Sequence, residues 1–140
     1  MNPTDLEKIL RDTLAKFNSE TGTIHKLHEP TQLLRLLAQA GLPPQLLDMV
    51  SIIPVGKGIA GECAQKNRPV TICNLQTDTS GVAKPGAKQT GVGGAVCVPI
   101  RHGDKIIGTF GIGTKREHEY SAAEINALQD IANSLAAQIA

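Results

Sequence analysis

Apolar residues recur at helical spacing at both ends of the chain, and this pattern predicts a helix at each end. The first helix is expected over residues 5–17, and Thr4 with Glu7 has the spacing of a capping box at its start. The last helix is expected from Ser121 to the C-terminus, where Ser121 and Glu124 repeat that spacing. Each helix has one apolar face, which needs a partner to cover it.

Between these helices the pattern changes to runs that suit strands, and two hairpins are predicted. Strands over residues 21–28 and 32–38 flank a tight turn that contains Pro30, and Gly41 ends the second strand. Strands over residues 94–100 and 105–113 flank a second turn. The shorter elements expected between the hairpins are a helix over 42–50, a strand over 51–55, a helix over 59–66 and a strand over 70–73.

A long irregular stretch is predicted over residues 74–91. It has no sustained period and is dense in turn residues. Loops of this length inside small domains are usually functional, so we expect a lid or a binding loop here. Residues 82–87 place apolar side chains beside a tight turn, which suits closure over a small molecule.

The segment over residues 55–63 joins a predicted strand to a predicted helix and contains glycines at positions 56, 58 and 61. The resulting G-x-G-x-x-G also occurs in dinucleotide-binding loops, but those need parallel strands, and the hairpins argue against them. Two interpretations stay open. Either the segment is a glycine turn without chemistry, or the N–H groups of Ile59, Ala60 and Gly61 face a pocket and favour a small anion.

Composition narrows the classes of function. The 140 residues have the size of one domain, and 41% apolar with 19% charged residues is ordinary for a globular protein. The aromatic residues are Phe17, Phe110 and Tyr120 alone and the net charge is +1, so nucleic acid is not an expected partner. Because no apolar run has the length of a membrane span, we expect a cytoplasmic protein without a membrane partner.

The cysteines and histidines do not predict a metal or cofactor site. Three cysteines without a C-x-x-C pair argue against zinc and against a disulfide framework. His25 and His28 would lie on opposite faces of a strand, while His102 and His118 fall in a turn and near a helix start. We therefore expect reduced thiols, and histidines at the surface or in turns.

Five phrases of the sequence together resemble those of a known family. They are Ile-Pro-Val-Gly-Lys-Gly-Ile-Ala-Gly, Arg-Pro-Val-Thr-Ile-Cys-Asn-Leu-Gln-Thr-Asp, Val-Cys-Val-Pro-Ile, Ile-Ile-Gly-Thr-Phe-Gly-Ile and Tyr-Ser-Ala-Ala-Glu-Ile-Asn-Ala-Leu. With them the chain resembles a GAF domain, a small-molecule sensing fold related to PAS. The resemblance implies a single α+β domain over residues 1–140, whose antiparallel sheet carries the terminal helices on one face. A ligand pocket would lie on the other face, under the short helices and the long loop.

Residues 74–87 further resemble stand-alone GAF proteins that sense nitrate for two-component systems. This resemblance implies a small anionic or polar ligand, such as an oxyanion, and a signalling partner such as a histidine kinase. We expect no enzyme activity and no cofactor, and the terminal helices could pair with those of a second chain in a homodimer. The expected ligand-binding residues are Val55, Gly58, Ile59, Ala60, Gly61, Asn74, Leu75, Val82, Ala83, Pro85, Gly86 and Ala87.

An enzymatic alternative comes from one GAF branch, free methionine-R-sulfoxide reductase. That family spaces three cysteines by ten and then twenty-four residues, and Cys63, Cys73 and Cys97 show the same intervals. The register differs, however, because the positions that match the family's cysteines are occupied by Val50, Ala60 and Lys84. Cys73 and Cys97 are instead expected within strands, as small buried hydrophobes.

Two further alternatives are a cyclic-nucleotide-binding domain and a purely structural dimerisation module. GAF domains that bind cyclic nucleotides often contain a spaced Asn, Lys, Phe, Asp, Glu set, of which Asn74 and Asp78 are only a fragment. A bound base would also lack an aromatic partner for stacking. A structural module would need no ligand at all, so a ligand screen separates it from a sensor.

Overall fold

The computed structural model describes residues 3–72, 93–116 and 118–139. Four α-helices lie within these ranges: α1 Pro3–Lys16, α2 Leu47–Ser51, α3 Gly58–Lys66 and α4 Ala122–Ile139. The strands are β1 Thr21–His28, β2 Leu33–Ala40, β3 Ile52–Pro54, β4 Val70–Ile72, β5 Ala95–His102 and β6 Lys105–Gly113. Single turns of 3₁₀ helix, Glu29–Thr31 and Pro44–Leu46, follow β1 and precede α2. The predicted loop over residues 74–91 and the predicted strand end at Cys73 lie outside the described residues.

The six strands form one antiparallel sheet in the order β3-β2-β1-β6-β5-β4. Both predicted hairpins are present, as β1–β2 and β5–β6. The central ladder between β1 and β6 joins the two hairpins, although these strands lie near opposite ends of the chain. The predicted α+β class with an antiparallel sheet is therefore confirmed.

The hydrophobic core lies between one face of the sheet and the two terminal helices. Ile24 of β1, Val98 of β5 and Phe110 of β6 are fully buried there, together with Leu10 of α1 and Leu128 of α4. The apolar faces of both terminal helices thus cover the sheet, while their pairing with a second chain stays a prediction. Within the described residues, none of the helices combines the length and hydrophobicity needed to cross a membrane.

Helix α4 begins with the predicted capping box. The N–H of Glu124 donates to Ser121 Oγ at 3.1 Å, and the N–H of Ser121 donates to Glu124 Oε1 at 2.9 Å. The corresponding prediction for α1 is wrong, because the helix begins at Pro3 and Thr4 therefore lies inside it. Proline suits a first helical turn since that turn has N–H groups without intrahelical partners, and proline has no N–H to leave unpaired.

Backbone conformation explains where the first hairpin differs from its prediction. Gln32 has a left-handed backbone, with φ of 54°, so β2 begins at Leu33 rather than at residue 32. The strand then continues to Ala40, two residues beyond the predicted end, and the left-handed Gly41 stops it. Strand β3 is shorter than predicted because α2 extends through Ser51.

An arginine from the sheet fixes the end of α3. Asn67 follows the helix in a left-handed conformation, and its N–H donates to Cys63 O at 2.8 Å. Arg101 of β5 donates through Nε to Asn67 Oδ1 at 2.8 Å and through Nη2 to Asn67 O at 2.5 Å. A cation at a helix C-terminus also interacts favourably with the helix dipole. This contact holds α3 against the sheet on the side opposite the core.

Candidate functional site

The sheet face opposite α1 and α4 combines polar side chains with apolar ones such as Leu36, which pairs with His25. Because side chains alternate along each strand, residues next to Ile24, Val98 and Phe110 project from this second face. We call it the polar face, and its members on the central strands include Thr23, His25, Gln39, Cys97, Thr109 and Gly111. His25, Cys97 and Thr109 are at most 2% exposed. Ligand pockets are mostly apolar and contain a few polar groups that orient the ligand, so a mixed face of this kind suits a pocket.

Strand register arranges these residues in two rows. In one row Gln39, Thr23, Gly111 and Cys97 occupy paired positions on β2, β1, β6 and β5. In the adjacent row His25 of β1 pairs directly with Thr109 of β6. Residues paired across antiparallel strands project to the same side, with Cβ atoms about 5 Å apart. The imidazole and the hydroxyl are therefore neighbours on the polar face.

His25 is the most buried titratable side chain of this face, with 1% of its surface exposed. Its Nε2 lies 2.7 Å from the carbonyl oxygen of Val50 in α2. Burial lowers the pKa of His25 and outweighs the Val50 hydrogen bond, which raises it, so the ring is neutral near pH 7. A carbonyl oxygen only accepts, so Nε2 must hold the proton and Nδ1 must present a lone pair.

Three buried polar atoms on the polar face have no hydrogen-bond partner within the described ranges. They are His25 Nδ1, Thr109 Oγ1 and Gln39 Oε1. Thr109 itself is completely buried. Buried polar groups in folded proteins are almost always hydrogen-bonded, to protein, to water or to a ligand. The three atoms therefore lack the partners that folded proteins normally supply, and a further polar group could provide them.

The glycine segment between β3 and α3 forms a tight turn. The N–H of Gly56 donates to Gly61 O at 2.8 Å, and the N–H of Gly61 donates to Lys57 O at 3.1 Å. The predicted free N–H at Gly61 is therefore wrong, because the first turn of the helix already uses it. Gly61 also packs so tightly that an added Cβ would lie 2.5 Å from Pro54 O. A glycine is thus required here by packing, whatever the segment binds.

The structure locates only part of the predicted ligand-binding set. Val55, Gly58, Ile59 and Ala60 are half-buried and Gly61 is buried. Gly58 has a left-handed backbone with open space around it. Contact between these five residues and a ligand stays a prediction. The remaining predicted positions, which lie outside the described residues, are Asn74, Leu75, Val82, Ala83, Pro85, Gly86 and Ala87.

Two free cysteines lie against each other between α3 and the sheet. Cys63 and Cys97 are both buried, which confirms the expected buried position of Cys97, while Cys73 lies outside the described residues. A hydrogen bond with Cys97 and burial both raise the pKa of the Cys63 thiol far above its ordinary value, and nearby Arg101 opposes this only weakly. Thiols are nucleophiles as thiolates, so Cys63 is a poor nucleophile at neutral pH.

The prediction of surface or turn histidines is wrong for His25 and confirmed for two others. His28 and His102 are exposed, and His28 Nδ1 contacts Thr31 Oγ1 at 2.7 Å. His118 is half-buried, with its ring edge-to-face against Tyr120. The alternation in β1 could have placed His25 opposite Ile24, but it could not show that His25 contacts α2. Among the described residues, no group of three or more His, Cys, Asp or Glu is suited to hold a metal ion.

A separate cavity of about 380 Å³ lies near the end of α1 and is widely open to solvent. Lys16, Phe17, Arg116 and Glu124 contribute to its walls. Arg116 donates through Nη1 to Asn18 O at 3.0 Å and lies 3.9 Å from Glu20 Oε1. Its guanidinium charge is therefore engaged within the protein, and this groove has fewer features of a binding site than the polar face.

Comparison with known proteins identifies one family. The sequence model of the GAF domain matches residues 1–140. No curated protein sequence matches the chain significantly.

Three solved structures illustrate the similarity of fold. The GAF domain of Acinetobacter phosphoenolpyruvate-protein phosphotransferase superposes with a TM-score of 0.81 at 19% identity, covering 99% of this chain and 82% of the other. Type II free methionine-R-sulfoxide reductase of Thermoplasma acidophilum superposes with a TM-score of 0.79 at 18% identity, covering 97% of this chain and 90% of the other. A domain from Sinorhizobium meliloti, described as belonging to a two-component sensor histidine kinase protein, gives 0.75 at 18% identity, with coverages of 97% and 89%. At these identities the similarity establishes the fold alone.

Proposed function

Because this chain belongs to the GAF domain family, we propose that it is a regulatory domain that binds a polar small molecule and has no catalytic activity of its own. The ligand would lie between the polar face of the sheet and the short helices α2 and α3. The observation that carries this proposal is the polar face itself, which lies opposite the hydrophobic core and contains three buried polar atoms without a partner among the described residues.

Energetic cost supports a ligand-binding role for this face. An unpartnered buried polar group destabilises a fold by about 1–3 kcal/mol, and here three such atoms lie on neighbouring strands. An apolar second face would avoid that cost and would serve a purely structural module better. A polar ligand would supply the missing hydrogen bonds and stabilise the folded chain.

Signal output is the finer part of the proposal. One structural neighbour is described as a domain of a two-component sensor histidine kinase protein, which supports a histidine kinase or a similar signalling protein as partner. We propose a cytoplasmic protein that passes ligand occupancy to this partner through residues 74–91 or the terminal helices. Pairing of α1 and α4 with those of a second chain would provide a homodimer.

The cysteine chemistry supports a sensor rather than a thiol reductase. Two of the solved relatives are free methionine-R-sulfoxide reductases. By the resemblance of their sequences, Val50, Ala60 and Lys84 of this chain occupy the positions where that family has its cysteines. The raised pKa of Cys63 keeps its thiol protonated and therefore weakly nucleophilic.

A thermal-shift screen on ligand-free protein tests the proposal. Native mass spectrometry first establishes that no small molecule remains bound. The screen then compares nitrate, nitrite, other oxyanions, amino acids, primary amides, polyols and cyclic nucleotides, each at millimolar concentration. We expect at least one polar compound to raise the melting temperature by several degrees, since binding to the folded state alone stabilises it. If no compound raises the melting temperature, a structural dimerisation module explains the chain better.

Replacement of Ala60 by Phe tests the position of the pocket. Ala60 is half-buried in the first turn of α3. A bulky side chain there should abolish ligand-induced stabilisation while circular dichroism and the unliganded melting temperature stay close to wild type. Binding that survives the substitution would locate the pocket elsewhere.

A further inference from the structure

We propose that His25 and Thr109 form a subsite for a neutral hydrogen-bond donor of the ligand, either a hydroxyl or a carboxamide group. This inference rests on the proposed function and adds to it the chemical class of the ligand. It replaces the expectation of a bare oxyanion such as nitrate, which offers acceptors only.

The requirement for a donor follows from the fixed proton of His25. Nε2 lies 2.7 Å from Val50 O, and only a protonated Nε2 can make this contact favourable. A neutral imidazole then has its lone pair on Nδ1, which is buried and has no donor opposite it within the described residues. A bare oxyanion placed there would set one acceptor against another. A group with an N–H or O–H would instead complete the hydrogen bonding of the ring.

Thr109 completes the subsite from the neighbouring strand. It pairs with His25 across the β1–β6 ladder, is fully buried, and has no partner for Oγ1 among the described residues. A hydroxyl can both donate and accept. Thr109 Oγ1 can therefore donate to an acceptor of the ligand group, or accept from a second donor of that group. Gly108 allows β1 and β6 to approach each other next to this pair, since a Cβ added at Gly108 would lie 2.2 Å from the backbone oxygen of His25.

Charge favours a neutral donor over an ammonium group. The described members of the two rows around the subsite are histidine, threonine, glutamine, glycine, cysteine, proline, leucine and valine, and none of them is anionic. Arg101 of β5 is a cation, but it already donates to Asn67. Burial of an ammonium without an anionic partner is costly, whereas a hydroxyl or a carboxamide is neutral.

A single buried water is the competing explanation. Water is neutral, donates and accepts, and commonly fills buried polar gaps. It differs from a ligand group in one measurable respect, because it is already present in ligand-free protein. The ¹⁵N resonance of His25 Nδ1 therefore distinguishes the two, since it responds directly to a donor that arrives.

The test measures long-range ¹H–¹⁵N spectra of the histidines while the full chain is titrated with matched probes. Acetamide offers an N–H donor, N,N-dimethylacetamide has a similar shape without a donor, and nitrate is a bare oxyanion. We expect acetamide to move the His25 Nδ1 resonance and to leave His28 unchanged, while the other two probes move neither. Replacement of Thr109 by Val should weaken acetamide binding by about tenfold, the value of one hydrogen bond.

Two further variants distinguish loss of the subsite from a general loss of stability. Replacement of His25 by Gln retains a donor for Val50 O but exchanges the Nδ1 acceptor for an amide oxygen at a different position, so it should also weaken acetamide binding. Thr114 is an equally buried threonine whose hydroxyl is already bonded to Gly94 N and Arg116 O. Replacement of Thr114 by Val should leave acetamide affinity unchanged while it lowers stability.

The outcomes separate this inference from the proposed function. Equal responses to acetamide and N,N-dimethylacetamide, or stabilisation by nitrate that survives His25→Gln, would overturn the donor subsite and leave a ligand-binding domain. A Nδ1 resonance that acetamide does not move would assign the site to a buried water and also overturn it. Failure of every compound in the thermal-shift screen would reject the proposed function itself.

Discussion

The imidazole of His25 donates through Nε2 to the carbonyl oxygen of Val50, 2.7 Å away, and so connects the middle of the sheet to α2. His25 belongs to β1, whereas Val50 belongs to the short helix α2. One side chain therefore both contacts α2 and presents a buried acceptor without a partner among the described residues. This dual contact makes His25 the first residue to test.

We expect acid to destabilise the protein through His25. Burial lowers the pKa of His25 in the folded state, so below an ordinary value near 6.5 the unfolded chain binds this proton more strongly. The stability it contributes is present above pH 6.5 and is lost as the pH falls towards the lowered folded-state pKa. The free energy of unfolding should fall by up to about 1.4 kcal/mol per pH unit, measured by urea denaturation between pH 7.5 and 5.

Two glutamine variants isolate this effect. His25→Gln retains a donor for Val50 O but does not titrate, so its stability should depend less on pH over that range. His28→Gln removes an exposed histidine and should retain the wild-type slope. Equal slopes for wild type and His25→Gln would show that other groups cause the acid sensitivity.

The two completely buried threonines of the β6 region should respond oppositely to replacement by valine. Thr109 Oγ1 has no partner among the described residues, so Thr109→Val should leave the ligand-free protein as stable as wild type, or stabilise it by up to about 1 kcal/mol. Thr114 Oγ1 accepts from Gly94 N and donates to Arg116 O, so Thr114→Val should cost about 1–3 kcal/mol. Urea unfolding of both proteins at pH 7.5 measures the difference. Destabilisation by Thr109→Val as large as that by Thr114→Val would mean that water already bonds the Thr109 hydroxyl.

Two left-handed asparagines give a matched test of the contact that ends α3. Asn18 and Asn67 have φ values of 51° and 52°, a conformation that glycine adopts more readily. Asn18 contributes its backbone oxygen to Arg116, which Asn18→Gly retains, so this change should be neutral or stabilising by up to about 1 kcal/mol. Asn67→Gly removes the Oδ1 acceptor of Arg101 and should cost about 1 kcal/mol net, because bonds to charged groups are worth about 1.5–3 kcal/mol.

Thermal or urea unfolding of the two glycine variants measures this contrast. A variant of Arg101 provides the second control, since Arg101→Ala should destabilise wild type more than it destabilises Asn67→Gly. Equal effects in the two backgrounds would show that the side-chain bond between Arg101 and Asn67 contributes little.

Because the thiols are buried, we expect them to react slowly with thiol reagents. We also expect the protein to lose stability at alkaline pH. The pKa of Cys63 is raised in the folded state, so its contribution to stability is complete below an ordinary value near 9 and is lost as the pH rises above it. In a Cys73→Ser background, the two remaining thiols should react with Ellman's reagent slowly at pH 8 and rapidly after denaturation. Fast reaction of the native protein would mean that one thiol is accessible as a thiolate.

A direct enzyme assay completes the test of the cysteines. We expect no reduction of free methionine-R-sulfoxide by the native chain with dithiothreitol as reductant. The matched control is Cys97→Ser, and activity that this substitution abolishes would make the chain a reductase instead of a sensor.

Local patterns in the sequence predict the strands of this fold well. The alternation in β1 and the turn residues beyond it place the first hairpin correctly, and Ser121 with Glu124 marks the start of α4. These features depend on neighbours within a few residues, so the sequence contains the information directly. The start of α1 was predicted less well because Pro3 and Thr4 offer two local signals for a helix start, and the proline prevails.

The candidate site depends on contacts between distant segments, which a local pattern does not contain. Alternation shows that His25 and Ile24 project from opposite faces, and for a typical antiparallel sheet the histidine face would be solvated. His25 contacts Val50 of α2, and its neighbour Thr109 comes from β6. The glycine segment, in contrast, has the sequence of a nucleotide-binding motif. Its Gly61, however, is explained by close packing against Pro54.

The ladder between β1 and β6 has a consequence for the kinetics of folding. Each hairpin can form from contacts that are local in sequence, but His25 and Thr109 become neighbours only when the two hairpins join. Such a long-range pairing is slow to form, and a transition state that lacks it would have no subsite. A ligand held by both residues should then decrease the unfolding rate and leave the refolding rate unchanged. Stopped-flow measurements of both rates would therefore show at which stage of folding the site comes into existence.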